Sequence, residues 1–195
     1  MNEKKNKIYP DRIIRSKRKT IAIEITKKAE LIVRAPARAT AFQIQRFLDD
    51  KQAWIRAHLK QAKDRIREME EHPVEKLSDE RLRQLIALAK MLLPKRVSLL
   101  AKKAGVTYGT IMVRCQKSRW GSCSAKGNLN FNCLLLLAPP DVMDYVIVHE
   151  LCHRKEMNHS PQFWAEVARI MPDYETHRKW LKENGDRLLA MVERN

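Results

Sequence analysis

His149-Glu150-Leu151-Cys152-His153, with His159 six residues further on, is the stretch of this 195-residue chain whose residue types and spacing could do chemistry. Imidazoles at i and i+4 share one helix face, with Cβ atoms about 5–6 Å apart, which suits two ligands of one metal ion. Glu150, beside the first imidazole, is placed to orient and deprotonate a metal-bound water. His159 lies beyond the helix, in a turn from which the chain can fold back towards the ion. Three of the chain's six histidines fall within these eleven residues. Three neutral imidazoles would leave a zinc ion Lewis acidic with its fourth position open to water. The expected reaction is hydrolysis of a carbonyl compound, with Glu150 as general base and then as proton donor to the leaving amine.

Two carboxylates compete with His159 as third ligand: Glu156, on a related face if the helix persists, and Glu166, in the following helical segment. His159 is favoured because its turn gives it reach and imidazole is the better zinc ligand. The plainer reading makes the histidines ordinary, partly buried helix residues and Glu150 a surface charge. The segment KSRWGSCSAKGNLNFN, residues 117–132, is the other distinctive stretch. A polar, glycine-containing strand beside an active-site helix could pair with an extended peptide as an added strand. Trp120 would then wall a pocket, Gly121 would belong to the strand, and Arg119 or Asn130 would contact substrate. Alternatively Trp120 is core and Gly121 a bulge. Tyr174 and His177 could approach from the last helix, a tyrosine hydroxyl being a possible oxyanion donor; helix packing or capping is the plainer account. Cys123 has no acid–base partner to make it a nucleophile.

The elements that must position these groups follow from periodicity. Residues 1–19 read as a flexible basic arm. Ile21, Ile23 and Ile25 alternate, and Leu31–Val33 follows, which predicts a β-hairpin ended by Pro36. Thr40 caps a predicted long helix over 41–71, with Phe42, Ile44, Phe47, Leu48, Trp54, Ile55 and Leu59 as its apolar stripe. Ser78 starts another helix, interrupted or kinked at Pro94 and ended at Gly105. Strands are expected in 106–115 and in 117–138, the latter folded at Ala125–Gly127. A helix over 141–156 carries the metal histidines. Ser160-Pro161 opens the next, and a last helix runs from Tyr174 to near Gly185.

Composition narrows the classes. No GxxxxGK[ST] or GxGxxG occurs, no apolar run reaches the ~20 residues of a membrane span, and the basic N-terminus is not followed by the apolar segment of a secretory signal. Cys115, Cys123, Cys133 and Cys152 are widely spaced, as expected for a protein of the reducing cytoplasm. The net charge of +16 is uneven: +18 over residues 1–140 and −2 over 141–195. Such a field attracts polyanions, so nucleic acid or a nucleoprotein is a possible partner of region 1–140.

At these motifs the chain resembles the YgjP-like metallopeptidase family, of zincin type and related to the SprT-like and WLM groups. The resemblance rests on RWGSCSAKGNLNFN at 119–132, DYVIVHELCHRKEMNHSPQFW at 144–164 and PDYETHRKWLKENG at 172–185, with IVRAP at 32–36 upstream. It implies an α+β fold: a small twisted sheet packed on an HExxH helix, with His149, His153 and His159 as zinc ligands and Glu150 as base. Added to this core are an N-terminal hairpin and long helix. The expected division is a basic arm, 1–19, the hairpin and long helix, 20–75, and a zincin-like domain, 76–195. The SprT-like and WLM relatives act on DNA-linked proteins, which is analogy at the level of fold.

The leading expectation is a cytoplasmic zinc metallopeptidase acting on a peptide or protein, with no membrane attachment. One alternative is a metal-dependent hydrolase of nucleotides or other phosphorylated small molecules, although such sites are usually rich in carboxylates. Another is a basic nucleic-acid-binding protein with structural zinc, whose site would be closed by a fourth protein ligand.

Overall fold

The computed structural model describes residues 7–192, which fall into two compact units divided between Pro73 and Val74. In the first, β1 (Arg12–Ser16), β2 (Ala22–Ile25) and β3 (Leu31–Pro36) form a sheet in the order β1-β3-β2. β2 and β3 are the antiparallel pair that the alternating isoleucines predict, with Ile23 opposite Val33. Residues 12–16 are a correction: inside the expected flexible arm they form β1, parallel to β3, with Ile13 opposite Val33. Leu31, Val33 and Ala35 are buried, and a central strand this apolar requires a neighbour on each edge. The rest of the expected arm up to residue 6 lies outside the described residues.

Thr40 caps α1 (Ala41–Asp50) through a reciprocal capping box with Gln43. The expected single long helix is broken at Lys51, whose φ and ψ of −106° and 11° separate α1 from α2 (Gln52–Glu71). Ile44, Leu48 and Ile55 pack with Leu31, Val33 and Ala35, whereas Phe42 and Trp54 are exposed. The apolar stripe is therefore narrower than its sequence suggests.

The second unit begins with α3 (Asp79–Ala104). Its Ser78 cap accepts from the Arg81 N–H, and its end is set by Gly105 in the left-handed region, φ 68°. Pro94 lies inside α3 without ending it. Leu85, Ala89, Leu93, Val97 and Ala101, each four residues from the last, form its buried stripe. The second sheet has the order β4-β6-β5: β4 (Ile111–Arg114) runs parallel to β6 (Leu129–Asn132), and β5 (Gly121–Cys123) antiparallel to it. The strands are shorter than expected. Beyond β6, residues 133–137 wind into a 3-10 turn capped by the Asn132 side chain rather than continuing as strand.

α4 (Pro140–Cys152) follows, then α5 (Pro161–Ile170), capped by Ser160, and α6 (Tyr174–Ala190). α4 buries Val142, Asp144 to Val148, and Glu150 to Cys152, so it is enclosed nearly all round and forms the centre of the unit. A bidentate pair from Arg96 on α3 satisfies the buried Asp144 carboxylate, with Nε donating to Oδ1 at 2.6 Å. α4 ends at Cys152 instead of 156, and α6 continues past Gly185. That glycine is buried against Trp120: a Cβ there would lie 3.2 Å from the indole ring.

Candidate metal centre

His149 projects from the last turn of α4, and His153 caps its end. The turn from 154 to 159 then brings His159 back over the helix. The Asn158 side chain accepts the Ser160 N–H at 3.1 Å, and the Ser160 hydroxyl accepts from Phe163 at the start of α5. His159 is thus held between a local side-chain turn and a capped helix. The Nε2 atoms of His149 and His159 lie 3.0 Å apart, and one ligand atom from each of the three histidines falls within 4.8 Å of the others. Zinc bonds of about 2.0–2.1 Å in a tetrahedral site separate two nitrogens by about 3.4 Å, so the closest pair is near ligand spacing.

The protonation states suit ligation. His153 Nδ1 lies 3.0 Å from the Glu156 carbonyl, which can only accept, so Nδ1 carries the proton and Nε2 keeps its lone pair. Burial, then the neighbouring His153 and His159, push the His149 pKa down to about 3. Burial also lowers that of His153. His149 is therefore neutral at physiological pH, and its buried Nδ1 has no hydrogen-bond partner. Neutral imidazoles crowded at this spacing repel one another through their lone pairs unless a cation or proton lies between them. The donor set and its geometry fit zinc.

Glu150 points from α4 towards β5 and is 6% exposed; burial raises its pKa from 4.5 to about 7. Gly121 makes room for it. A Cβ on Gly121 would lie 2.7 Å from both Cγ and Oε1 of Glu150. β5 is held in place from both ends. Before it, the buried Asn132 side chain donates to the carbonyls of Gln116 and Arg119 at 2.7 and 2.9 Å, and the Trp120 carbonyl accepts the Asn132 N–H. After it, Arg154 donates to the Thr107 carbonyl at 3.0 Å and the Ala125 carbonyl at 3.3 Å. Gly127, at φ 83°, turns the chain directly beneath that guanidinium.

Of the other residues singled out from sequence, Tyr174 reaches the cluster indirectly. It stacks on Trp164 at 5.4 Å and on Tyr145 at 6.5 Å, and these rings lie 5.8 and 6.0 Å from His149. Trp120 packs on Gly185. Asn130 pairs with Ser122, one residue out of phase with Gly121 and so on the opposite sheet face from Glu150. Its Oδ1 is buried without a partner. The Arg119 side chain is exposed. His177 pairs with Asp173. Glu166 accepts from Lys155 and Arg169 at 2.8 and 3.0 Å, which commits it to an ion-pair network away from ligation. Burial, with Glu150 nearby, raises the Cys123 pKa, so its sulfur is a thiol.

Sequence reasoning missed the aromatic bed. Phe163 packs against all three imidazoles at 4.6–4.9 Å, and Trp164 covers His149 and His159. The cue was available in the spacing: Phe163 follows His159 by four residues.

A family model described as "YgjP-like, metallopeptidase domain" matches residues 19–84 and 74–184. Among solved structures, the metallopeptidase zymogen abylysin of Pyrococcus abyssi is 21% identical with a TM-score of 0.43, over 47% of this chain and 94% of that one. The zymogen jannalysin of Methanocaldococcus jannaschii is 22% identical with a TM-score of 0.41, over 47% and 93%. No curated protein matches the chain.

Proposed function

The chain belongs to the YgjP-like metallopeptidase family, and from that premise we propose that His149, His153 and His159 hold the zinc ion of a peptidase whose proton-transfer group is Glu150. Membership and the cluster together make it a zinc-dependent metallopeptidase with a zincin-like α+β core. The observation that carries the residue assignment is the convergence of three imidazoles beside a buried carboxylate of the same helix.

Zinc in this position polarises a carbonyl and acidifies water. The rest falls to the chain's own groups. Glu150, buried beside the imidazoles, would take a proton on a carboxylate oxygen from the attacking water and return it to the leaving amine. The outer edge of β5 pairs with no strand in the sheet, which supports its use as a template for an extended substrate. Trp120 and Gly121 set the position of that edge. Tyr174, stacked against the ring that covers two of the histidines, is the proposed hydroxyl donor to substrate.

The test is cleavage of an unstructured protein such as casein by zinc-loaded protein. Activity that disappears with chelator, returns with zinc and is missing from Glu150→Gln supports this assignment; cleavage by Glu150→Gln at the parent rate removes it.

No described helix is long and apolar enough to cross a membrane. We propose a cytoplasmic location on the four unpaired cysteines. The positive surplus upstream of residue 141 supports association with nucleic acid or nucleoprotein, whose mark would be retention on DNA or RNA that collapses with rising salt.

A further inference from the structure

One charged group near the cluster takes no part in the proton transfer assigned to Glu150. Arg178, on α6, is exposed, and its guanidinium lies over the Trp164 ring, 4.4 Å from the centroid. Trp164 in turn stacks on His159, with centroids 5.8 Å apart and planes 30° from parallel, and lies 5.8 Å from His149. These separations hold the guanidinium within about 10 Å of both imidazoles.

Arg178 has no ion-pair partner among the described residues. On the same helix Asp173 pairs with His177 and Lys179 with Glu183. Glu175, one turn back, accepts from the Tyr174 hydroxyl at 3.4 Å. A permanent cation beside a site that takes a dication is repulsive unless an anion joins them in the working complex. The stacking also matters. Cation–π contact occupies the guanidinium face and leaves its in-plane N–H groups free, the arrangement that grips a carboxylate with two parallel hydrogen bonds.

The separation bounds the stretch of substrate that the guanidinium can address. An extended peptide advances about 3.3–3.6 Å per residue, so a group within about 10 Å of the imidazoles addresses substrate up to about three residues from the reacting bond. We propose that Arg178, held flat on Trp164, is a specificity residue that recognises a carboxylate on the substrate within about three residues of the bond cleaved. This rests on the metallopeptidase reading of the site.

The experiment measures binding, by calorimetry, of alanine-based peptides to the zinc-loaded Glu150→Gln protein. Peptides carry Glu, Gln or Lys at successive positions, each with a free or an amidated C-terminus. In one register the Glu peptide is expected to bind about tenfold tighter than its Gln counterpart, equivalent to a single charge-assisted pair. Adding Arg178→Gln should bring that ratio close to one at equal zinc content, and Arg178→Lys should restore part of it. Affinity lost on amidation, whichever side chain is present, and insensitive to amidation in Arg178→Gln identifies the terminal carboxylate as the recognised group; a preference that follows Glu identifies a side chain. Equal binding of Glu and Gln peptides in every register with no loss on amidation, or no binding by any acidic peptide, overturns the proposal. Failure of the parent protein to cleave any peptide counts instead against the peptidase reading, and the binding comparison still decides the role of Arg178.

Discussion

Gly121 and Glu150 occupy one space. The Cβ that any other residue would place at 121 falls 2.7 Å from the Oε1 of the buried carboxylate, so the glycine of WGSC is a clearance for the base. Gly121→Ala should displace the Glu150 head by an ångström or so. Errors of that size cost on the order of 100-fold where a reacting group must be aligned. The expected result is kcat lowered by about 10–100-fold with zinc content unchanged, read by steady-state kinetics and metal analysis. Wild-type kcat in this variant would show that Glu150 does its work from another position.

Glu150→Gln should bind zinc and lose turnover by about 100- to 10,000-fold, the range for removing a general base. A second effect needs no substrate. In the metal-free protein burial raises the Glu150 pKa from 4.5 to about 7, so the folded state holds a proton over that interval which the unfolded state releases. The benefit is complete below 4.5 and lost as pH rises through 7. The glutamine variant avoids that loss. Metal-free Glu150→Gln is therefore expected to match the parent near pH 4 and exceed it at pH 8 by on the order of 2–3 kcal/mol in urea unfolding.

The choice of third ligand is decided by a pair of substitutions. His159→Ala should weaken zinc binding by more than about 100-fold, beyond the cost of losing an outer hydrogen-bond partner. Glu166→Ala should leave it untouched, because that carboxylate is engaged by Lys155 and Arg169. Competition with a chromogenic chelator measures both. A reversed order would make the glutamate the ligand.

What could be read in the sequence was what short-range geometry dictates. The i and i+4 histidines, the Thr40, Ser78 and Ser160 caps and the alternating isoleucines of β2 each depend on residues within one turn or one strand. The errors arose where distant packing overrides local pattern. CLLLL is as apolar as a buried strand, yet the Asn132 side chain closes it into a 3-10 turn. Residues 12–16 carry three charges or hydroxyls in five positions, and only pairing with β3 makes them a strand. Arg178 lies on Trp164 through the packing of α6 against α4 and α5, a relation that no spacing encodes.

Gly185 shows how such packing can be tested. A glycine would be expected to end α6, but the helix continues to Ala190 because the missing side chain lets Trp120 lie against the helix. Two effects oppose each other on substitution. Alanine gains about 1 kcal/mol of helix propensity over glycine, while its Cβ would stand 3.2 Å from the indole and force a shift of a few tenths of an ångström. Valine adds two methyl groups to the same contact and recovers less propensity, since β-branching costs rotamer freedom in a helix. Gly185→Val should therefore destabilise by about 1–3 kcal/mol, the usual cost of overpacking, while Gly185→Ala falls near neutral. Because Trp120 leads directly into Gly121, the valine variant should also lower kcat at full zinc occupancy. Thermal unfolding and single-turnover cleavage measure the two effects separately; loss of stability with normal turnover would show that the Trp120 contact supports the fold without setting the position of β5.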